Sequence, residues 1–297
     1  MANIVRLGGG AAGGNELIVT APTGSTVTAT KDGKTKRATE KNGVFTFSGL
    51  EAGEWTVTAT LGEQSASKVV TVVTKSLEVA FIYANFGDNS WSDIIKACQL
   101  GDVPSTWNVG DSKPMTINGA SYIIDIIGKN HDTYTAGGTA PLTFQMHDCY
   151  NTKYNMKNTY DNNGGYDSTL MHTSHLPTIK GLMPAEVQAA VKPVDKLSSM
   201  GGGSSQIETI SCNLFLLSEI EVCGRTQSSK PGEGKQYAYY SAGNSAIKKL
   251  SGTDVVWWTR SPYAYASSNF TRIYTDGTGV GADASNALNG VSFAFCF

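Results

Sequence analysis

Glu54-Trp55-Thr56-Val57-Thr58-Ala59-Thr60-Leu61 alternates, from Trp55 on, apolar side chains with threonines at a period of two. A β-strand places residues i and i+2 on one face. Trp55, Val57, Ala59 and Leu61 therefore share a buried side and the threonines a wet one, as in a sheet with one solvated face. The alternation recurs in Ser25-Thr26-Val27-Thr28-Ala29-Thr30 and runs from Glu16 to about Ala84. Turn signals separate the runs. Lys31-Asp32-Gly33-Lys34 and Lys41-Asn42-Gly43 hold the Asx-Gly pairs that tight hairpins favour, and Glu51-Ala52-Gly53 precedes the Trp55 strand. Strands of this length and spacing predict a small β-sandwich over residues 16–84. Residues 1–15, which include Gly8-Gly9-Gly10-Ala11-Ala12-Gly13-Gly14, read as a flexible glycine-rich segment.

The 297 residues carry 23 basic and 25 acidic side chains, a net charge of -2, and only 16% of them are charged. An ordinary globular chain has about 25%. Ser, Thr, Asn and Gly supply the missing polarity, so the chain is polar without being ionic. This balance argues against a nucleic-acid binder, which needs a basic surface to displace counterions from phosphates. No apolar run approaches the roughly 18 residues of a membrane-spanning helix, and Met1 to Gly14 has no apolar core of signal-peptide length. We expect neither membrane insertion nor an export leader. The length exceeds the roughly 100 to 200 residues of one domain, and a second domain is expected over residues 85–297. Cys98, Cys149, Cys212, Cys223 and Cys296 form no C-x-x-C pair and mostly adjoin apolar or aromatic residues. That pattern predicts buried thiols, with neither a disulfide framework nor a zinc site.

Beyond Ala84 the texture changes. Ser90-Trp91-Ser92-Asp93 has the spacing of a capping box, and the helix it opens closes at Gly101. Asn118-Gly119 marks a hairpin inside Pro114–Ile127. Helices are predicted from Ser168 to about His175 and from Pro184 to Val191, where Pro193 blocks continuation. Ser198–Ser205 reads as a loop, Cys212–Ser218 as a buried strand, and Trp257–Phe297 as hairpins with long loops. Trp257 and Trp258 are adjacent, so a strand turns them to opposite faces; both read as packing residues, with Arg260 paired internally.

Catalytic signatures are sparse. His172 and His175 lie one helical turn apart, but no H-E-x-x-H pattern accompanies them. Asp161-Asn162-Asn163-Gly164-Gly165-Tyr166-Asp167 has oxygen ligands at alternating positions, faintly like a calcium loop. Its twelfth position is His172, where a calcium-binding helix-loop-helix needs a bidentate Glu, so no cofactor is expected and calcium is a minor alternative. There is no G-x-S-x-G elbow and no phosphate-binding glycine loop, and no carboxylate pair stands out as a glycosidase would require.

Two resemblances refine this reading. Phe45-Thr46-Phe47-Ser48-Gly49-Leu50-Glu51-Ala52-Gly53-Glu54-Trp55-Thr56-Val57 resembles the immunoglobulin-like and carboxypeptidase-regulatory-like modules, which implies a spacing or tethering role. Tyr166-Asp167-Ser168-Thr169-Leu170, Met183-Pro184-Ala185-Glu186, Leu214–Ser218, Trp257-Trp258-Thr259-Arg260-Ser261-Pro262 and Asn289–Phe295 occur in an order similar to a domain family of Firmicutes and their phages. That family is related to the C-type-lectin-like fold and to formylglycine-generating enzymes. Ser292 and Phe293 depart from the Arg and Pro usual in its closing element, and the cysteines lack the paired spacing of those enzymes. The implied fold is mainly β with some α: an N-terminal immunoglobulin-like β-sandwich followed by an α+β C-type-lectin-like domain.

The variable proteins of diversity-generating retroelements share this fold and vary near their C-terminus. The corresponding stretch here is rich in Tyr, Ser and Asn, the composition of adaptable binding loops. It nominates Tyr263, Tyr265, Ser267, Asn269, Thr271, Arg272, Tyr274, Asp276, Asp283 and Asn286 as ligand contacts. The resemblance implies a non-enzymatic bacteriophage virion protein, assembled in the host cytoplasm and homo-oligomeric. Its expected partners are a host cell-surface glycan or protein and, through the first domain, other virion proteins. The alternatives are an architectural decoration protein and a carbohydrate-active enzyme.

Overall fold

The computed structural model describes residues 2–6, 16–72 and 77–297. The chain divides into two compact units, residues 1–107 and 108–297, and is mainly β with some α.

The first unit contains β1 (Ala2–Arg6), β2 (Glu16–Thr20), β3 (Thr26–Lys31), β4 (Lys34–Arg37), β5 (Thr39–Lys41), β6 (Val44–Ser48), β7 (Gly53–Leu61), β8 (Gln64–Val72), β9 (Leu77–Tyr83) and α1 (Trp91–Gln99). Two sheets form, in the orders β1-β9-β2-β6-β5 and β4-β3-β7-β8. They share one core, built from Leu17 and Val19 of β2, Phe45 and Phe47 of β6, Val27 and Ala29 of β3, and Trp55, Val57 and Ala59 of β7. These are the alternate positions of each strand, and burying each large side chain contributes about 1.5–3 kcal/mol. Asp32-Gly33 and Asn42-Gly43 all have positive φ, which two-residue hairpins need and Asx-Gly tolerates.

Residues 2–6 form a strand and are not part of a flexible leader; the run Gly8–Gly14 lies outside the described residues. The expected boundary at residue 84 falls instead after Trp107. Phe86 packs edge-on against Trp91 and Trp107, with ring centroids 6.4 and 5.3 Å apart, and the Trp107 indole donates to the Tyr83 carbonyl. These contacts bind α1 and its flanks to the first unit. The Ser90–Asp93 capping box is present.

The second unit contains β10 (Ser112–Ile117), β11 (Ala120–Lys129), β12 (Leu142–Met146), a π-helical turn (Met171–His175), α2 (Leu176–Lys180), α3 (Ala185–Ala190), β13 (Val194–Ser199), β14 (Ile207–Cys212), β15 (Leu214–Phe215), α4 (Glu219–Cys223), α5 (Ala238–Ser241), β16 (Lys248–Leu250), β17 (Thr253–Val255), β18 (Trp257–Pro262), β19 (Asn269–Ile273), β20 (Val280–Ala284) and β21 (Ala294–Cys296). Its largest sheet has the order β10-β11-β12-β21-β15, and β18-β19-β20 form a separate three-stranded sheet.

Several expectations are corrected here. The last strand, β21, leaves the hairpins and enters the large sheet between β12 and β15, pairing Phe295 with Phe144 and Leu214. The strand expected over Cys212–Ser218 shrinks to Leu214–Phe215, because Ser218 caps α4 through a capping box with Glu221. The helix expected from Ser168 begins at Met171, as a π-helical turn that runs into α2. The loop expected from Ser198 starts only after Ser199, where β13 ends.

Candidate functional site

β18 is buried along its whole length. Trp257 and Trp258 donate their indole N–H groups to the Ala246 and Tyr154 carbonyls, so both are packing residues. Arg260 sits between them and the turn that follows, fully buried. Its Nη1 donates to Glu221 Oε2 (2.5 Å) and to the Leu216 carbonyl (3.0 Å). Its Nη2 donates to Glu221 Oε1 (2.9 Å) and the Glu233 carbonyl (2.8 Å), and its Nε to the Leu197 carbonyl (3.0 Å). All five guanidinium protons are engaged, the arrangement a buried arginine needs.

Lys196 of β13 extends the cluster. Its Nζ lies 2.7 Å from both Asp132 and Glu221 and 3.0 Å from the Tyr237 hydroxyl. Asp132 also accepts from Thr143 Oγ1 and from Tyr237. Burial opposes the charges of Asp132 and Glu221, yet Lys196 and the Thr143 hydroxyl hold Asp132, and Arg260 and Lys196 hold Glu221, below the usual carboxylate range. Glu233 behaves differently: burial pushes it up to about 7, and the Ser199 N–H, the Ser261 hydroxyl and Arg260 offset only part of that. Glu219, also buried, accepts the backbone N–H groups of Gln227, Ser228 and Ser229 and so fixes the loop after α4. A cleft of about 410 Å³ opens above Asp132, Lys196 and Glu221, rimmed by His131, Gly232, Gly234 and Lys235.

This core holds the loops nominated from sequence. The Ser228 carbonyl accepts from Ala264 N–H at 2.7 Å, bracing the turn between Tyr263 and Tyr265. From the other side, buried Asn162 donates its side-chain amide to the carbonyls of Ala266 (3.0 Å) and Asn269 (2.7 Å), its backbone N–H donates to Ser267 O, and its Oδ1 accepts from Gly202 N–H. Buried Ser285 ties the next loop in, donating to Thr159 O and accepting from Asp161 N–H. The segment that resembled a calcium loop is therefore an amide clamp. Asp161 within it is engaged by Lys157 at 3.0 Å, and among the described residues no group of three His, Cys, Asp or Glu is placed to hold a metal ion.

The nominated residues separate into two groups. Tyr265 is 75% exposed and stacks edge-on with half-buried Tyr263, while Ser267, Tyr274, Asp276 and Asn286 are exposed. Thr271 is a correction. It is fully buried, shares a hydrogen bond with the Thr259 hydroxyl and donates to the Ser261 carbonyl, because it faces β18 across the sheet. Asn269 and Arg272 are half-buried. Arg272 Nε lies 2.6 Å from Asp283, and its guanidinium lies over the Tyr274 ring. That ring covers β20, where a Cβ at Gly281 would meet it at 3.0 Å, so a larger side chain there would displace the ring.

The sequence reading missed Tyr160 and Leu288, 66% and 62% exposed, on the two loops that Ser285 joins. It also missed Asn162; the only signal was its place in an Asp/Asn/Gly run with no ligand set to complete it.

Other reactive side chains are quiet. Cys212 Sγ lies 3.9 Å from His172 Nδ1, and His172 Nε2 3.5 Å from Asp167, but burial pushes the thiol up to about 12 and the imidazole down. Neither is poised as a thiolate–imidazolium pair. His147 is held by Asp125 at 2.8 Å, and buried Lys248, lowered to about 8, donates to the Met146 and His147 carbonyls. All five cysteines are thiols.

The model of the family described as a domain of unknown function (DUF6273) matches residues 143–297. No curated protein and no solved structure matches the chain.

Proposed function

The chain belongs to the DUF6273 family, and on that premise we propose that its second unit is a C-type-lectin-like, non-enzymatic binding domain that recognises a host cell-surface ligand for a bacteriophage particle. The exposed nominated residues all fall within the matched segment. One observation carries the reading: Tyr263 and Tyr265 are displayed on a turn whose backbone is clamped from below by Asn162 and Ser228. Aromatic groups on a rigid backbone lose little entropy on binding, which is what a recognition surface requires. The contact set is Tyr160, Tyr263, Tyr265, Ser267, Tyr274, Asp276 and Asn286, with Arg272 and Asp283 orienting Tyr274. The first unit is the immunoglobulin-like spacer that joins the domain to other virion proteins. A homo-oligomeric array would let individually weak sites act together.

The test replaces Tyr263, Tyr265 and Tyr274 together with Ala in assembled particles and follows adsorption to host cells. The reading expects normal assembly with adsorption reduced at least about tenfold, the equivalent of about 1.4 kcal/mol. Unchanged adsorption by intact particles would overturn it.

A further inference from the structure

Glu233 is the fifth ionisable side chain at the Arg260 cluster, and the other four leave it nothing. Lys196 and Arg260 balance Asp132 and Glu221. The five protons of Arg260 go to Glu221 and to the carbonyls of Leu197, Leu216 and Glu233, while Lys196 donates to Asp132 and Tyr237 and lies 2.7 Å from Glu221. Neither cation donates to the Glu233 carboxyl. Its Oε1 accepts the Ser199 N–H of β13 at 2.7 Å, and its Oε2 has no hydrogen-bond partner although the residue is fully buried. The groups that face it are Arg260 and Ser261 from β18, Glu221 from α4 and Ser199 from β13. The Ser261 hydroxyl accepts from Glu219 N–H and keeps its own proton to offer the Glu233 carboxyl, Ser198 Oγ reaches Oε1 at 3.5 Å, and Glu221 is a like charge. On its own segment Lys235 is exposed. A carboxylate in this position would be a buried anion held by neutral donors alone, with no hydrogen bond from a cation, which is costly, whereas a neutral carboxyl is tolerated.

The segment that carries it, residues 225–236, lies between α4 and α5. Gly232 and Gly234 on either side of Glu233 form part of the wall of the 410 Å³ cleft. The Glu233 carbonyl holds the segment to Ser218 Oγ and Arg260, and Ser228 holds Ala264 in the tyrosine turn.

We propose that Glu233 is a proton-operated latch: neutral, it fastens segment 225–236 onto the buried ion cluster, and ionised, it lets that segment open. Opening withdraws the Ser228 brace from the Tyr263–Tyr265 turn, so the latch would regulate ligand binding; this clause alone rests on the function proposed above. The carboxyl, raised to about 7 by burial, ionises within the neutral range.

The experiment is amide hydrogen exchange of the full chain at about pH 6 and about pH 8.5, corrected for intrinsic exchange. Proton linkage for an acid moved from 4.5 to about 7 predicts that the open population of 225–236 rises about tenfold between these conditions. The β4-β3-β7-β8 sheet of the first unit, which holds no histidine, serves as the internal control and should not change. Glu233→Gln should hold the segment closed at both pH values. Unchanged protection of 225–236 in the wild type, a parallel change in the control sheet, or the same rise in Glu233→Gln would each overturn the latch. The wild-type comparison stands even if the variant does not fold. No ligand is involved, so failure of the latch and failure of the binding surface are separate results.

Discussion

In the first unit the polar side chains buried among the described residues are Ser25 and Asn89, and the rest of its interior is Leu17, Phe45, Trp55, Val57 and their neighbours. The second unit instead buries Asp132, Lys196, Glu221, Glu233 and Arg260 around one strand. The two interiors respond differently to damage. An apolar core loses stability in proportion to the surface it no longer buries. An ionic core loses it through the partner left behind, because an orphaned charge keeps its desolvation penalty. The sandwich should therefore tolerate conservative trimming, and the second unit should fail at single atoms.

The largest effect is expected at Arg260. Arg260→Met leaves Glu221 without its bidentate partner and takes a donor away from the Leu197, Leu216 and Glu233 carbonyls. A loss of about 3–5 kcal/mol in the second unit is expected, measured by urea unfolding, with the sandwich transition unmoved. Adding Glu221→Gln should recover part of the loss. A strictly additive pair would show that the network is not coupled.

Next comes Glu233. Its folded carboxyl is raised, so below about pH 4.5 both states are protonated and the group carries no penalty. As pH rises towards about 7 the unfolded chain ionises first and stability falls, levelling off at about 3 kcal/mol above that point. Glu233→Gln should remove this slope and be the more stable protein at about pH 8.5. A wild-type stability curve with no such fall would contradict the assignment.

Val57→Ala in the sandwich removes two buried methyl groups and should cost about 2 kcal/mol without any pH dependence. A pH-dependent loss there would erase the contrast between the interiors. The smallest effect is expected at Tyr265, whose ring is 75% exposed: Tyr265→Ala should change thermal stability by no more than about 0.5 kcal/mol.

The contrast also explains what the sequence could reveal. The Trp55–Leu61 alternation, the Asn-Gly turns and the Ser90 cap are local, decided by residues within a few positions, and each appears in the structure as read. Trp257, Trp258 and an internally paired Arg260 were legible because adjacent strand residues face opposite ways. The partners of Arg260 were not, since Leu197, Leu216, Glu221 and Glu233 approach it only through the fold. Thr271 misled for a related reason. A threonine in a tyrosine- and serine-rich stretch reads as surface until the register of β19 turns it towards Thr259. The insertion of β21 beside β12 joins residues far apart in the chain, which periodicity does not report.

The most direct test of the account is binding of this chain, purified whole, to intact Firmicutes cells, with wild type compared against the variant in which Tyr160, Tyr263, Tyr265 and Tyr274 are all Ala. The account predicts a wild-type protein that binds at least one strain. It also predicts a variant whose affinity falls at least about tenfold while its melting temperature shifts by no more than about 2 °C. Binding retained by the variant, or abolished instead by changes to the exposed β4 strand of the sandwich, would contradict it.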